Sequence, residues 1–121
     1  MLGSRAASMS ILSALFPPSI EAAQAAERVN SRAALVLDVR TCREYEAGRI
    51  AGAQHLPVGR LDAARLDPGQ RYIAVCRTDM RSSQATRQLR RAGLEVVNLK
   101  GGMLAWQRAG LPLAPRKGHI A

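Results

Sequence analysis

The stretch IAVCRTDMRSS, residues 73–83, joins a short apolar run to a cysteine, charged residues and hydroxyl residues. Residues 73–75 are consecutively apolar, which predicts a buried strand. Ser82 is typical of the start of a helix, so Cys76 is predicted to lie where a strand crosses into a helix. Open α/β folds place their reactive groups at such crossings, and the thiol of Cys76 is therefore the first candidate for chemistry.

Predicted helices and strands alternate on both sides of this stretch. Ser19 is expected to cap a helix over 20–30, and Thr41 and Glu44 have the spacing of a capping box that opens a short helix ended by Gly48. The other predicted elements are strands over 35–39, 53–56, 72–75 and 95–99, and helices over 61–66, 82–92 and 103–109. Because parallel strands need crossover connections, this order predicts an α/β fold with a small, mostly parallel sheet of four or five strands and helices on both faces.

The composition fits one domain with a basic surface. The 121 residues are 47% apolar, and 18 Lys and Arg against 9 Asp and Glu give a formal charge of +9. An anionic partner is compatible with this charge, but the few aromatic residues are scattered and offer no platform on which bases could stack. A solvated basic surface is therefore favoured over binding to nucleic acid.

The two ends of the chain differ from its middle. Residues 1–18 lack acidic residues, and their apolar stretch over 11–16 is far shorter than the roughly 20 residues needed to cross a bilayer, so no membrane contact is predicted. We expect a loosely ordered lead-in over 1–18, a folded domain over 19–113 and a C-terminal tail over 114–121. A transit peptide stays an alternative for the lead-in, and Met9 leaves open whether residues 1–8 are native. The two cysteines show no paired spacing, which argues against a disulfide framework or a zinc site and favours a reducing, cytoplasmic location.

The residues around Cys76 favour a reactive thiolate. Backbone N–H groups at a helix N-terminus stabilise an anion, and Arg77 and Arg81 add positive charge nearby. The alternative is an unreactive cysteine that packs as a small apolar residue. His55 and His119 are distant in sequence, so a Cys–His proton shuttle is not supported. Transfer of a sulfane sulfur fits better, because it needs a nucleophile but no general acid: a leaving group such as sulfite departs as an anion.

Four separated motifs resemble the single-domain rhodanese-like sulfurtransferases across most of residues 19–113. They are D-V-R at 38–40, E-Y-E-A-G-x-I-x-G-A at 44–53, C-R-T-x-M-R-S at 76–82 and G-G-M-x-x-W at 101–106. Each motif alone is a weak signal, but their order and spacing together make the match specific. The resemblance implies a rhodanese-like fold and a sulfurtransferase activity.

By this resemblance, Cys76 takes the outer sulfur of thiosulfate or another persulfide donor and passes it to a thiol, to cyanide or to a protein acceptor. Asp38 and Arg40 are implied to support the site, with the aspartate paired to an arginine, which also explains a charge inside an apolar strand. No cofactor and no metal ion are implied. The implied cradle for the transferred sulfur is the active loop of Arg77, Thr78, Asp79, Met80, Arg81 and Ser82.

Two positions depart from the family pattern. Asp79 stands where most members have glycine, and Arg49 stands where many have histidine. Aspartate tolerates a left-handed backbone better than most residues, so we expect the loop to keep its shape. The added negative charge is expected to weaken the attraction for an anionic donor such as thiosulfate. Arg49 is interpreted as a surface change without catalytic consequence.

Two other functions stay open at this point. Cysteine phosphatases place five residues between the cysteine and the arginine that clamps phosphate, whereas only four separate Cys76 from Arg81, which disfavours phosphatase or arsenate reductase chemistry. A sulfur-carrier or redox-sensing module would instead act by docking to a partner protein. In such a module Cys42 could resolve an oxidised Cys76 into a disulfide, although a merely packed cysteine is the simpler interpretation of Cys42.

Overall fold

The computed structural model describes residues 17–121. Most of the predicted lead-in, residues 1–16, thus lies outside the described residues. The described strands are β1 Ser19–Ile20, β2 Leu35–Asp38, β3 Gln54–His55, β4 Arg71–Val75 and β5 Glu95–Leu99. The described α-helices are α1 Ala22–Asn30, α2 Cys42–Ala47, α3 Met80–Arg91 and α4 Gly102–Arg108. Within this part of the chain, no helix combines the length and the apolar character needed to cross a bilayer.

The five strands form one parallel sheet in the order β1-β5-β4-β2-β3. Side chains alternate across the central strand and its end. Ile73 and Val75 join an apolar cluster under α1 and α4, whereas Ala74 and Cys76 join a second cluster under α3. The predicted fold, a small parallel sheet with helices on both faces, is confirmed.

The elements that border Cys76 begin and end close to the predicted residues. The capping box of α2 is present: Glu44 N–H donates to Thr41 Oγ1 at 3.3 Å, and Thr41 N–H donates to Glu44 Oε1 at 3.1 Å. α3 begins at Met80, two residues before the predicted start, because Ser83 N–H already donates to Asp79 O at 2.8 Å. Only residues 76–79 therefore connect β4 to α3.

The predicted start of the first helix is wrong. Ser19 does not cap a helix but opens the edge strand β1, since Asn98 N–H donates to Pro18 O at 2.8 Å and joins this segment to β5. Pairing with the sheet satisfies the backbone here, so the helix starts only at Ala22.

The helix predicted over 61–66 is also wrong. Two 3₁₀ turns, Val58–Arg60 and Ala63–Arg65, occupy this region. Asp62 accepts a hydrogen bond from Ala64 N–H at 3.0 Å, which favours a local turn over a continuous helix.

The segment 114–121 packs against the end of α2. Arg49 and Ala114 form an antiparallel bridge, and His119 N–H donates to Ala47 O at 2.9 Å. A Cβ atom at Gly48 would lie 2.5 Å from His119 O, so only glycine fits where the two backbones meet.

Candidate active site

Cys76 lies at the carboxyl edge of the sheet, immediately after the central strand β4. Val39 N–H donates to Val75 O at 3.0 Å, which ties the end of β4 to the end of β2, where Asp38 lies. Cys76 is 1% exposed and packs in the cluster under α3. The structure thus places this cysteine at the predicted crossing from strand to helix.

The loop 76–79 rests on the N-terminal end of α4. Met103 N–H donates to Cys76 O at 2.9 Å, and Leu104 N–H donates to Arg77 O at 3.2 Å. Gly102 makes this contact possible, because its φ is +61° and a Cβ atom there would overlap loop carbonyl oxygens, including that of Cys76. α4 therefore fixes the orientation of the first peptide groups of the loop.

This orientation leaves a run of backbone N–H groups without an acceptor in the described part of the chain. In a planar trans peptide the N–H points opposite to the C=O, so the N–H groups of Arg77 and Thr78 point away from α4. Among residues 17–121, no hydrogen-bond acceptor is found for the N–H groups of residues 77–81. These groups lead into α3, a 12-residue helix whose dipole is positive at this end. The loop therefore has the chemistry of an anion-binding site.

A buried ion pair stands at the end of the neighbouring strand β2. Arg40 Nη2 lies 2.7 Å from Asp38 Oδ2, and Arg40 Nε lies 2.9 Å from Asp38 Oδ1, with both side chains fully buried. Arg40 Nη2 also donates to Gly48 O at 2.7 Å. In the described part of the chain, Arg40 Nη1 has no partner. The pair accounts for the charge of Asp38 within an apolar strand, and it ties β2 to the end of α2.

A second ion pair joins the start of α3 to α2. Arg81 Nη1 and Nη2 lie 2.6 and 2.8 Å from the two carboxylate oxygens of Glu44. The hydrogen bond from Arg81, supported by bonds from Thr41, lowers the pKa of Glu44 from 4.5 to about 2 against the opposing effect of burial. The pKa of Arg81 is raised, chiefly by its hydrogen bonds to Glu44 and further by electrostatic interaction with Glu44, Cys76 and Asp38. Arg81 thus brings positive charge toward Cys76, but its donor groups are engaged by Glu44.

The sequence pattern around Glu44 predicts a capping residue of α2 but does not predict its ion pair with Arg81. No local signal links two residues that lie 37 positions apart, because the contact depends on how α2 and α3 meet at the sheet edge.

The remaining loop residues lie on the surface. Arg77, Thr78 and Asp79 are exposed, and Met80 is 83% exposed, which is unusual for an apolar side chain. Arg77 Nε donates to Ala121 O at 3.2 Å, so this guanidinium is turned toward the end of the chain. Each of the two arginines predicted to add charge near the thiol therefore has a partner elsewhere.

Buried polar atoms connect Cys76 to Asp79. Cys76 Sγ lies 3.1 Å from Ser82 Oγ, and Ser82 Oγ donates to Asn98 Oδ1 at 2.6 Å. Asn98 Nδ2 donates to Asp79 Oδ1 at 3.1 Å, and Gly101 N–H donates to the same oxygen at 3.0 Å. Ser82 is fully buried and Asn98 is 2% exposed. We refer to Cys76, Ser82, Asn98 and Asp79 as the thiol network.

Two features of the thiol network correct the sequence interpretation. Asp79 does not adopt a left-handed backbone, since its φ is −144° and its ψ is −31°; its side chain is held by Asn98 and Gly101 instead. Asn98 is not among the predicted site residues. It is nevertheless a polar residue inside a buried apolar strand, β5, and this is the same sequence signal that indicates Asp38.

Residues outside the loop have mainly structural contacts. His55 Nε2 lies 2.8 Å from Arg40 O, and its ring stacks on Tyr45 with centroids 4.3 Å apart. Arg49 is half-buried, and its guanidinium lies 4.9 Å from the centroid of the Tyr45 ring. It is therefore less exposed than the surface residue predicted from the sequence. Cys42 is exposed at the first position of α2, unlike the buried Cys76.

Comparison with known proteins assigns most of the chain to one family. The family model described as "Rhodanese-like domain" matches residues 21–109. The protein slr1261 from Synechocystis is 39% identical over 88 residues, which cover 70% of this chain and 49% of slr1261. A protein named "Sulfurtransferase" from Allochromatium vinosum is 37% identical over 87 residues, which cover 69% of this chain and 81% of that protein.

A solved structure has the same architecture. The crystal structure of a rhodanese-related protein from Thermoplasma volcanium superposes with a TM-score of 0.76 at 32% identity, covering 80% of this chain and 97% of that protein. The chain spans about half the length of slr1261 but nearly the whole of the Thermoplasma protein.

Proposed function

Because this chain belongs to the rhodanese-like domain family and is similar to a sulfurtransferase, we propose that it transfers sulfane sulfur through a persulfide on Cys76. Thiosulfate or a small persulfide is the proposed donor. A thiol, cyanide or a thiol on a partner protein is the proposed acceptor.

The reaction takes place in two displacement steps. The Cys76 thiolate attacks the outer sulfur of thiosulfate, an S–S bond to Cys76 forms, and the S–S bond of the donor breaks with its electron pair leaving on sulfite. An acceptor thiolate or cyanide then attacks the terminal sulfur of the Cys76 persulfide, and the Cys76 thiolate leaves. Electrons balance without an external oxidant or reductant, and every leaving group departs as an anion, so no general acid is required.

The observation that carries the proposal is the run of five N–H groups, residues 77–81, that leads from Cys76 into the first turn of α3 and has no acceptor among residues 17–121. Such groups stabilise the thiolate, the persulfide and an anionic donor through fixed partial charges. The two hydrogen bonds from α4 orient the first two of these groups, the N–H of Arg77 and the N–H of Thr78. Since Cys76 is 1% exposed, the side chains that cover it must shift for a donor to reach the sulfur.

Phosphate chemistry is disfavoured by the engagement of Arg81. A cysteine phosphatase needs an arginine that is free to clamp the phosphoryl group with both donor groups. Here both terminal nitrogens of Arg81 donate to Glu44. The loop between Cys76 and Arg81 is also one residue shorter than in cysteine phosphatases. The geometry therefore supports transfer of a single sulfur atom better than phosphoryl transfer.

The test is the loading of sulfur onto the protein. After incubation with thiosulfate and removal of excess donor, intact mass spectrometry should detect one added sulfur that cyanide or a thiol removes. Cys76→Ser should abolish this gain, and Cys42→Ser, the matched control at the other cysteine, should retain it. A gain that depends on Cys42 rather than Cys76 would contradict the proposal.

The same experiment separates the alternatives. Loading from a low-molecular-weight persulfide but not from thiosulfate would restrict the donor class. Loading only from a partner protein's persulfide would indicate a carrier module. Hydrolysis of an aryl phosphate without any sulfur gain would indicate a phosphatase.

A further inference from the structure

We propose that Asp79 and Asn98 are positioning residues that turn the Ser82 hydroxyl away from the Cys76 sulfur and so hold part of this thiol in its neutral, resting form. The inference rests on the proposed function in taking Cys76 as the reactive thiol. It concerns the position at which this chain departs from the glycine of most family members.

The direction of each hydrogen bond in the thiol network follows from Asp79. A carboxylate only accepts hydrogen bonds, so Asn98 must present its Nδ2 group to Asp79 Oδ1, at 3.1 Å. The opposite atom of the amide, Asn98 Oδ1, then faces Ser82 Oγ at 2.6 Å and can only accept. Ser82 has a single hydroxyl hydrogen and two possible oxygen acceptors, Asn98 Oδ1 at 2.6 Å and the backbone oxygen of Asp79 at 3.3 Å. The shorter contact assigns this hydrogen to Asn98.

The Cys76 sulfur consequently faces an acceptor. With its hydrogen on Asn98, Ser82 Oγ can accept the S–H of a neutral thiol at 3.1 Å but offers no hydrogen to a thiolate. If Ser82 rotates to donate to the sulfur, Asn98 Oδ1 is left without this donor at a site that is 2% exposed. A buried acceptor that loses its donor is costly, so the network favours the thiol over the thiolate.

Other charges near the sulfur do not depend on Asp79. Arg81 from α3 interacts electrostatically with Cys76 and with Asp38 from β2, and Arg77 is turned toward Ala121. These groups stay in place when residue 79 changes. A difference caused by residue 79 therefore reflects either the hydrogen-bond direction or the charge of Asp79 itself.

Removal of the Asp79 carboxylate should allow the Asn98 amide to reverse its orientation. Without it, the Asn98 amide can turn over and donate from Nδ2 to Ser82 Oγ, which frees the Ser82 hydroxyl hydrogen. The Cys76 sulfur at 3.1 Å then competes for this hydrogen with the backbone oxygen of residue 79 at 3.3 Å, and a thiolate is the stronger acceptor.

Ser19 Oγ accepts from Asn98 Nδ2 at 3.4 Å and donates to Pro17 O at 3.4 Å. After the turn it would donate to the amide oxygen instead, and water can replace its bond to Pro17 because Ser19 is exposed. We expect Asp79→Gly to make Cys76 more reactive at neutral pH.

The test measures alkylation of Cys76 by iodoacetamide against pH, in a Cys42→Ser background so that one thiol is followed. Asp79→Gly should raise the rate at neutral pH by about fivefold and move the profile to lower pH. Asp79→Asn, whose amide can present either face to Asn98, should give a smaller rise with less change to the loop backbone. Glu27→Gln, which removes an exposed charge from α1, should leave the rate unchanged.

A double-mutant cycle with Ser82→Ala separates hydrogen-bond direction from charge. Without the Ser82 hydroxyl, Asp79→Gly should no longer raise the rate. An equal rise with and without the Ser82 hydroxyl would show that only the charge of Asp79 acts, which would overturn the proposal. An alkylation rate that is unchanged or slower in both Asp79 variants would also overturn it. Because alkylation needs no sulfur donor, these outcomes are independent of whether thiosulfate loads the protein.

Discussion

Arg81 donates two hydrogen bonds to Glu44, at 2.6 and 2.8 Å, and thereby joins α3 to α2 across 37 positions of sequence. The pair connects α3, which follows the loop 76–79, to α2, which follows the D-V-R motif. Because the carboxylate is only 15% exposed, this ion pair is shielded from solvent on the side of Glu44.

Glu44→Gln is expected to lower the free energy of unfolding by about 1 to 2 kcal/mol, because it removes a bidentate pair that solvent screens only in part. Urea denaturation followed by circular dichroism measures the change. Glu46→Gln, at an exposed position of the same helix, is the matched control and should change the free energy by less than about 0.5 kcal/mol. Equal losses in the two variants would contradict the role of the pair.

The stabilisation by Glu44 should depend on pH in a defined direction. The pKa of this carboxyl is about 2 in the folded protein against an ordinary value of 4.5, so the unfolded chain takes up the proton first as pH falls. The pair therefore stabilises fully above pH 4.5, and its contribution is lost as pH falls toward about 2. The difference in unfolding free energy between the wild type and Glu44→Gln should shrink over this window, and a constant difference would contradict the assignment.

Gly102→Ala should disrupt the active loop. The new methyl group would overlap carbonyl oxygens of the loop at a φ of +61°, so we expect a loss of at least about 2 kcal/mol in stability together with loss of sulfur loading. Gly110→Ala is a close control, since its φ is +72° but nothing lies within 4 Å of its Cβ position. This control should lose only about 1 kcal/mol and load sulfur normally; loss of loading in both variants would rule out the specific contact.

Asp38→Asn should lower the free energy of unfolding far more than removal of the carboxylate charge from an exposed ion pair. It leaves the fully buried guanidinium of Arg40 without its counter-ion, for which we expect a loss of about 3 to 5 kcal/mol. The exposed pair of Arg71 and Glu95 provides the comparison, and Glu95→Gln should cost less than about 1 kcal/mol. Chemical denaturation of both variants checks the prediction, which fails if the two losses are similar.

The sequence predicts those parts of the structure that depend on interactions between residues close together in the chain. The strand over 95–99 and the Thr41–Glu44 capping box depend on residues a few positions apart, and both are present. Ser19 was assigned wrongly because its hydroxyl suits a helix cap, whereas pairing with β5, which lies 79 positions away at Asn98, determines its conformation.

The candidate site was predictable only in part for the same reason. Cys76 could be placed at the end of a strand from its neighbours, and a buried charge at Asp38 demanded a partner. The engagement of Arg81 by Glu44 and the contact of Ser82 with Asn98 depend on which strands lie side by side, and no periodicity within a single segment encodes that order.

The helix that supports the active loop also carries the only tryptophan of the chain. Trp106 is 3% exposed and donates from Nε1 to Pro112 O at 2.8 Å, one turn beyond the Met103 N–H that holds Cys76 O. Its fluorescence is therefore an intrinsic reporter of the environment of α4, the helix that contacts the loop after Cys76. Stopped-flow emission measurements could follow loading and unloading of the native protein in real time without an attached dye.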